Sequence, residues 1–148
     1  MIEYGHTTVL LQESIDGLDF HPGDIFIDGT LGSAGHSEEV VKRFGSTVQI
    51  IGLDMDQDAL KRAEKRFAKL DANATFVQSN FRNLDTTLGS LHIHQIHKML
   101  LDIGLSSNQF EESGRGFTFK NDEPLLMTFK KDLQPEDLTA KTIVNEWS

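Results

Sequence analysis

The chain has 148 residues, 38% of them hydrophobic and 25% charged, which suffices for one domain with a real core. Its net charge of −9 argues against a broad, non-specific nucleic-acid surface, which is normally basic, and leaves room for RNA contact through a local patch or through a part of the protein not present here. The absence of cysteine excludes disulfides, a thiolate nucleophile and Cys-based zinc sites. The cytoplasm is then the expected compartment, since no apolar run reaches membrane-span length and residues 1–6 are not patterned as a signal peptide.

Residues 7–18 read as a first helix, with Leu11, Ile15 and Leu18 on one face at i, i+4 and i+7. The turn His21-Pro22-Gly23-Asp24 leads into an apolar run, Ile25 to Ile27, expected to be a buried strand. That strand ends in Asp28 and passes into a turn with glycines at 29, 32 and 35, after which Ser37-Glu38-Glu39-Val40-Val41 opens a helix. Strand, glycine turn and helix make the first unit of a nucleotide-binding α/β fold. The spacing G-x-x-G-x-x-G, without a lysine, fits neither the dinucleotide fingerprint nor a phosphate-binding P-loop. An acid just before the glycines instead suits a ligand with an amino group near the turn, and S-adenosylmethionine (SAM) carries one. The plain alternative is a Gly-rich loop in some other α/β protein; a dehydrogenase is disfavoured by the same spacing.

Residues 48–53 form a second buried strand, ending in Asp54-Met55-Asp56. An acid here, about twenty residues past the glycine turn, is where such folds bind ribose hydroxyls. Either Asp54 or Asp56 suits that role, and Asp56 is the better N-cap for the helix that follows. In that helix Leu60, Ala63, Phe67 and Leu70 form the buried stripe, and Lys61, Arg62, Lys65 and Arg66 a solvated face. Residues 74–78 form a third strand, followed by Ser79-Asn80-Phe81; Phe81 is placed either to stack on an adenine or to join the core. Leu84, Leu88 and Leu91 mark a short helix. His92, His94 and His97 lie close together, but without an acidic or cysteine neighbour they read as a loop rather than a metal site. Residues 98–107 form a fourth buried strand and its loop, ending in the acid Asp102. Three strands thus deliver a carboxylate to one edge of the sheet, which a binding cleft explains better than packing does. Beyond residue 108 the pattern loosens into Gly114-Arg115-Gly116-Phe117-Thr118-Phe119, a substrate loop or a turn, and a last helix capped by Thr139.

Six segments in order resemble one family: residues 6–11, Asp28-Gly29-Thr30-Leu31-Gly32-Ser33-Ala34-Gly35-His36-Ser37, Leu53-Asp54-Met55-Asp56, Asn80-Phe81-Arg82-Asn83-Leu84, residues 101–107, and Arg115-Gly116-Phe117-Thr118-Phe119. Together they resemble the bacterial 16S ribosomal RNA (cytosine-N4)-methyltransferases. The resemblance implies a Rossmann-like class I SAM-dependent methyltransferase fold, a parallel sheet with helices on both faces, incomplete at its C-terminal side. It implies SAM contacts at Ala34, Gly35, His36, Asp54, Phe81, Asp102 and Gln109, to which Ser33 of the glycine turn is added. Asp102, at the end of the fourth strand, is the catalytic candidate on chemical grounds, as an acceptor for the amino hydrogens of a cytosine, and no metal is expected. The resemblance also implies a cytoplasmic enzyme acting on 16S rRNA or the small ribosomal subunit, with residues 1–107 as the SAM-binding core and 108–148 as a substrate loop and the start of a helical insert. The resemblance departs at Ser107-Asn108-Gln109, where the family has Ser-Pro-Gln, at Gly114, where it has an acid, and at residues 124–130, which lack two acids and an arginine. These departures bear on the substrate side more than on SAM. Family members are roughly twice as long, so the chain corresponds to their N-terminal half. The competing expectation is a half-domain that needs its missing strands, or a second copy as a homodimer, to act.

Overall fold

In the computed structural model the described residues are 8–104, 110, 113–130 and 132–147. They divide into two compact units, residues 1–103 and 104–148. The first unit is an α/β sheet with the order α1 (Leu11–Leu18), β1 (Ile25–Asp28), α2 (Gly35–Phe44), β2 (Gln49–Asp54), α3 (Gln57–Phe67), β3 (Asn73–Gln78), α4 (Leu84–Ser90) and β4 (Lys98–Leu100). All four strands are parallel, in the spatial order β3-β2-β1-β4. The chain therefore steps outward from β1 to β3 and then returns to the other side of β1.

Alternation along the strands assigns their two faces. Phe26 and Ile50 face a core completed by Ile15 of α1, Val40 and Val41 of α2, and Leu60, Ala63 and Phe67 of α3. Ile27, Ile51 and Leu53 face the other side, where Leu84 and Leu88 of α4 pack. β1 and β2 are central and covered on both faces, so they read as continuous apolar runs. The fourth strand differs from expectation: it covers only three residues and is half-buried, because β4 lies at a sheet edge. β3, the other edge, is half-buried at Ala74, Phe76 and Val77 and exposed at its remaining residues.

Local chemistry sets the helix limits. The first helix begins at Leu11 rather than residue 7, because Leu10 takes a left-handed conformation with φ 49° that no helix continues through. α2 begins at Gly35, two residues before Ser37, because Ala34 with φ 62° turns the chain sharply into it. α3 starts at Gln57, after Asp56, whose carboxylate accepts the Asp58 N–H as an N-cap.

In the second unit, Gly116 N–H donates to Glu123 Oε2 at 2.8 Å, and the Met127 N–H donates to the Arg115 carbonyl at 2.7 Å. The Phe117 and Phe129 rings lie 5.7 Å apart. The closing helix, α5 (Ala140–Glu146), is capped by Thr139 as expected, its hydroxyl accepting the Thr142 N–H.

Candidate functional site

The glycine turn after β1 is bonded across the C-terminal ends of the strands on both sides. Gly29 N–H donates to the Leu100 carbonyl of β4 at 3.0 Å, and Leu31 N–H to the Leu53 carbonyl of β2 at 2.9 Å. The Asp54 carboxylate takes two main-chain donors, Gly32 N–H and Asp56 N–H, each at 2.8 Å. Gly32 holds φ +51°, which lets its N–H face that carboxylate. On the β4 side the Asp102 N–H donates to Thr30 Oγ1 at 2.7 Å. The third strand joins through Ser79 N–H, which donates to the Asp54 carbonyl at 3.1 Å.

Three of the sequence-predicted residues, Asp54, Phe81 and Asp102, therefore meet one edge of the sheet around this turn. Phe81 sits in a single 3-10 turn, 39% exposed. A side-chain carbon added at Gly29 would lie 2.5 Å from Leu101 Cδ2, 3.4 Å from Met99 Cε and 3.5 Å from Phe81 Cβ, so the lack of a side chain lets these residues pack directly against the turn. Asp102 is exposed, two residues past the end of β4. Ala34, Gly35 and His36 form the N-cap and entry of α2; the Ala34 N–H is taken by the Leu31 carbonyl at 2.7 Å, and the positive end of the helix favours negative or lone-pair-rich ligand atoms. His36 is only 6% exposed, and its Nε2 has no hydrogen-bond partner among the described residues. Ser33 is exposed, and its carbonyl accepts Arg66 Nη1 of α3 at 2.8 Å. Gln109 lies outside the described residues.

Asp28 is placed beneath the turn rather than in it. It is 1% exposed, and its carboxylate accepts the Ser37 hydroxyl at 2.7 Å and, more weakly, the Thr30 N–H at 3.4 Å. Burial pushes its carboxyl above the usual range; the Ser37 hydroxyl, His36 and the Thr30 N–H pull the other way. The acid that ends β1 thus clamps the turn to α2 from inside the core. Sequence reasoning missed two further residues. Thr30 ties the β4 side, and Met55 receives Asn80 Nδ2 on its sulfur at 3.2 Å and Gln78 Nε2 on its carbonyl at 3.2 Å, beside Asp54 and Phe81. For Met55 the signal was its place next to a strand-end acid; nothing local marked Thr30.

The three histidines sit apart in role: His92 turns with φ 56°, and His97 Nδ1 accepts the Ile25 N–H at 2.9 Å. Among the described residues no group of three His, Asp or Glu side chains is arranged to hold a metal. No helix among them is long and apolar enough to cross a membrane.

A model described as the MraW methylase family matches residues 3–148. The chain belongs to the MraW methylase family. The protein named ribosomal RNA small subunit methyltransferase H from Lachnospira eligens is 40% identical over 148 residues, covering 100% of this chain and 46% of that protein. Its namesake from Ruminiclostridium cellulolyticum is 39% identical over 149 residues, covering 99% of this chain and 47% of that one. The chain therefore spans about half the length of the curated MraW relatives it matches. Among solved structures, TrmN from Thermus thermophilus is similar with a TM-score of 0.50 and 26% identity, over 56% of this chain and 26% of that one. The parallel sheet and its flanking helices agree with the class I methyltransferase fold expected of such a family member.

Proposed function

We propose that this chain carries the cofactor-binding half of a SAM-dependent methyltransferase that modifies a cytidine of small-subunit rRNA at the exocyclic N4, in the cytoplasm. The observation that supports it most is the cross-bonded glycine turn, which gathers Asp54, Phe81 and Asp102 at one sheet edge beside the N-terminus of α2. The residues suit SAM. Asp54 lies where a ribose diol is bound in nucleotide folds, and Phe81 offers an aromatic face to an adenine. The buried His36 Nε2, without a partner among the described residues, is a polar atom that a ligand satisfies.

When bound there, the cofactor supplies an already activated methyl on a sulfonium, so the protein mainly aligns donor and acceptor. Asp102 is the catalytic candidate. Its main chain is pinned to Thr30; in this reading its carboxylate accepts an amino hydrogen of the cytosine, localising the nitrogen lone pair as the bond forms. Gln109 remains a proposed cofactor contact, with Ser33, Ala34 and Gly35.

A second reading rests on the half-buried β4. At that edge no further strand pairs among the described residues. In this reading the chain binds SAM but turns over only once strands from elsewhere, or a second copy, cover β4. Calorimetric titration with SAM separates the possibilities. Binding that Asp54→Ala weakens at least tenfold, in a variant that keeps its far-UV spectrum, supports the site; binding by that variant at the parent's affinity overturns it. SAM binding without methylation of a cytidine-containing rRNA fragment selects the second reading.

A further inference from the structure

An acidic protein that acts on RNA needs a local cationic surface, and α3 carries one. Five of the chain's 14 Lys and Arg residues fall within residues 61–69, against a single acid, Glu64. The other cations of α2 and α3 are matched. Lys42 pairs with Glu38 at 3.2 Å, Arg43 with Asp16 and Glu39, Arg66 with Glu38 at 2.5 Å, and Arg62 approaches Asp56 at 3.9 Å. Lys61, Lys65 and Lys69 differ: all three are exposed, and none reaches a carboxylate among the described residues within the 4.0 Å of an ion pair. They stand at i, i+4 and i+8, the last in the turn that prolongs the helix, so they form one line of charges about 6 Å apart.

The line has a definite relation to the candidate site. α3 is capped by Asp56, beside Asp54, and Arg66 holds the Ser33 carbonyl of the glycine turn. Lys61 therefore lies about 7–8 Å along the axis from the N-cap, and Lys69 about 20 Å. We propose that Lys61, Lys65 and Lys69 form a track for the phosphate backbone of the RNA, holding the nucleotides that flank the one entering the site. This inference rests on the rRNA reading above and adds where the strand runs. Buried Leu60, Ala63 and Phe67 fasten the opposite side of the helix to the core, so the track is a fixed surface. Its contacts are to phosphate and carry no sequence preference.

The test is binding of a fluorescent, cytidine-rich single-stranded RNA to the 148-residue chain across a salt series, with SAM titration as the control for folding. Each phosphate contact on a single strand adds about 0.7 to the slope of log K against log salt. The triple variant Lys61→Gln, Lys65→Gln, Lys69→Gln is expected to lose about 2 from that slope. Its affinity then falls on the order of a hundredfold at 0.1 M salt relative to the same comparison at 1 M. The triple arginine variant keeps the parent's slope. Unchanged slope and affinity in the glutamine variant, with SAM binding intact, overturn the track while leaving the rRNA reading standing. RNA binding absent from the parent itself overturns both.

Discussion

Removing the Ser37 hydroxyl tests the buried clamp beneath the glycine turn. Asp28 and Ser37 are both essentially inaccessible, and the hydroxyl is the closest donor to the carboxylate, at 2.7 Å. A hydrogen bond to a charged group is worth about 1.5–3 kcal/mol, so Ser37→Ala is expected to cost about 2 kcal/mol where the Asp28 carboxyl is ionised. That corresponds to a melting temperature lower by about 6–10 °C for a domain of this size. The loss depends on pH in a definite direction. Burial raises the folded-state pKa of Asp28 above its ordinary 3.8, so the native state holds the proton more tightly than the unfolded chain does. Stability from this group is then fully present below the unfolded pKa and falls as pH rises through the folded one. Ser37→Ala removes the strongest influence opposing that rise, so its cost is largest at an alkaline pH where Asp28 is ionised and shrinks at an acidic pH where it is protonated. In an Asp28→Asn background the bond is between neutral groups, and the same substitution costs about 1 kcal/mol with no pH dependence. Thermal melts of the four proteins at both pH values decide it. A cost for Ser37→Ala that is the same at both pH values, or that is equal in the two backgrounds, refutes the clamp.

Two further substitutions separate site from scaffold. Phe81→Ala is expected to weaken SAM binding about tenfold by calorimetry while changing stability by no more than about 0.5 kcal/mol, since the ring is 39% exposed; unchanged affinity removes Phe81 from the pocket. Gly52→Ala places a carbon 2.7 Å from Leu31 Cδ1 and 2.8 Å from Phe76 Cδ1, where the turn packs over β2. It is expected to cost about 1–3 kcal/mol in chemical denaturation, and a parent-like midpoint contradicts the close packing of Leu31 on that strand.

What the sequence made legible was governed by local pattern. The apolar runs of β1 and β2, the α3 stripe of Leu60, Ala63 and Phe67, and the caps at Asp56 and Thr139 all depend on neighbours a few residues away. The convergence of Asp54 and Asp102 was readable because a parallel sheet puts every C-terminal strand end on one edge; Asp28, expected to join them there, turns into the core instead. Three things were not readable. The helix starts hinge on left-handed Leu10 and Ala34, residue types that carry no such signal. The exposure of β4 follows from its edge position, which an apolar run does not disclose. The bonds that organise the site join partners far apart in sequence: Thr30 with Asp102, Gly32 with Asp54, Ser33 with Arg66.

The return of the chain across β1 has a consequence for how the protein assembles. Ile27 pairs with Ile51 on one side and with Met99 on the other, at three times the sequence separation. Closing the longer loop costs about 1 kcal/mol more in chain entropy. During synthesis β1, β2 and β3 are available to pair before β4 leaves the ribosome. The edge that carries Asp102 is therefore completed after β1, β2 and β3, by a three-residue strand docking onto strands already able to pair.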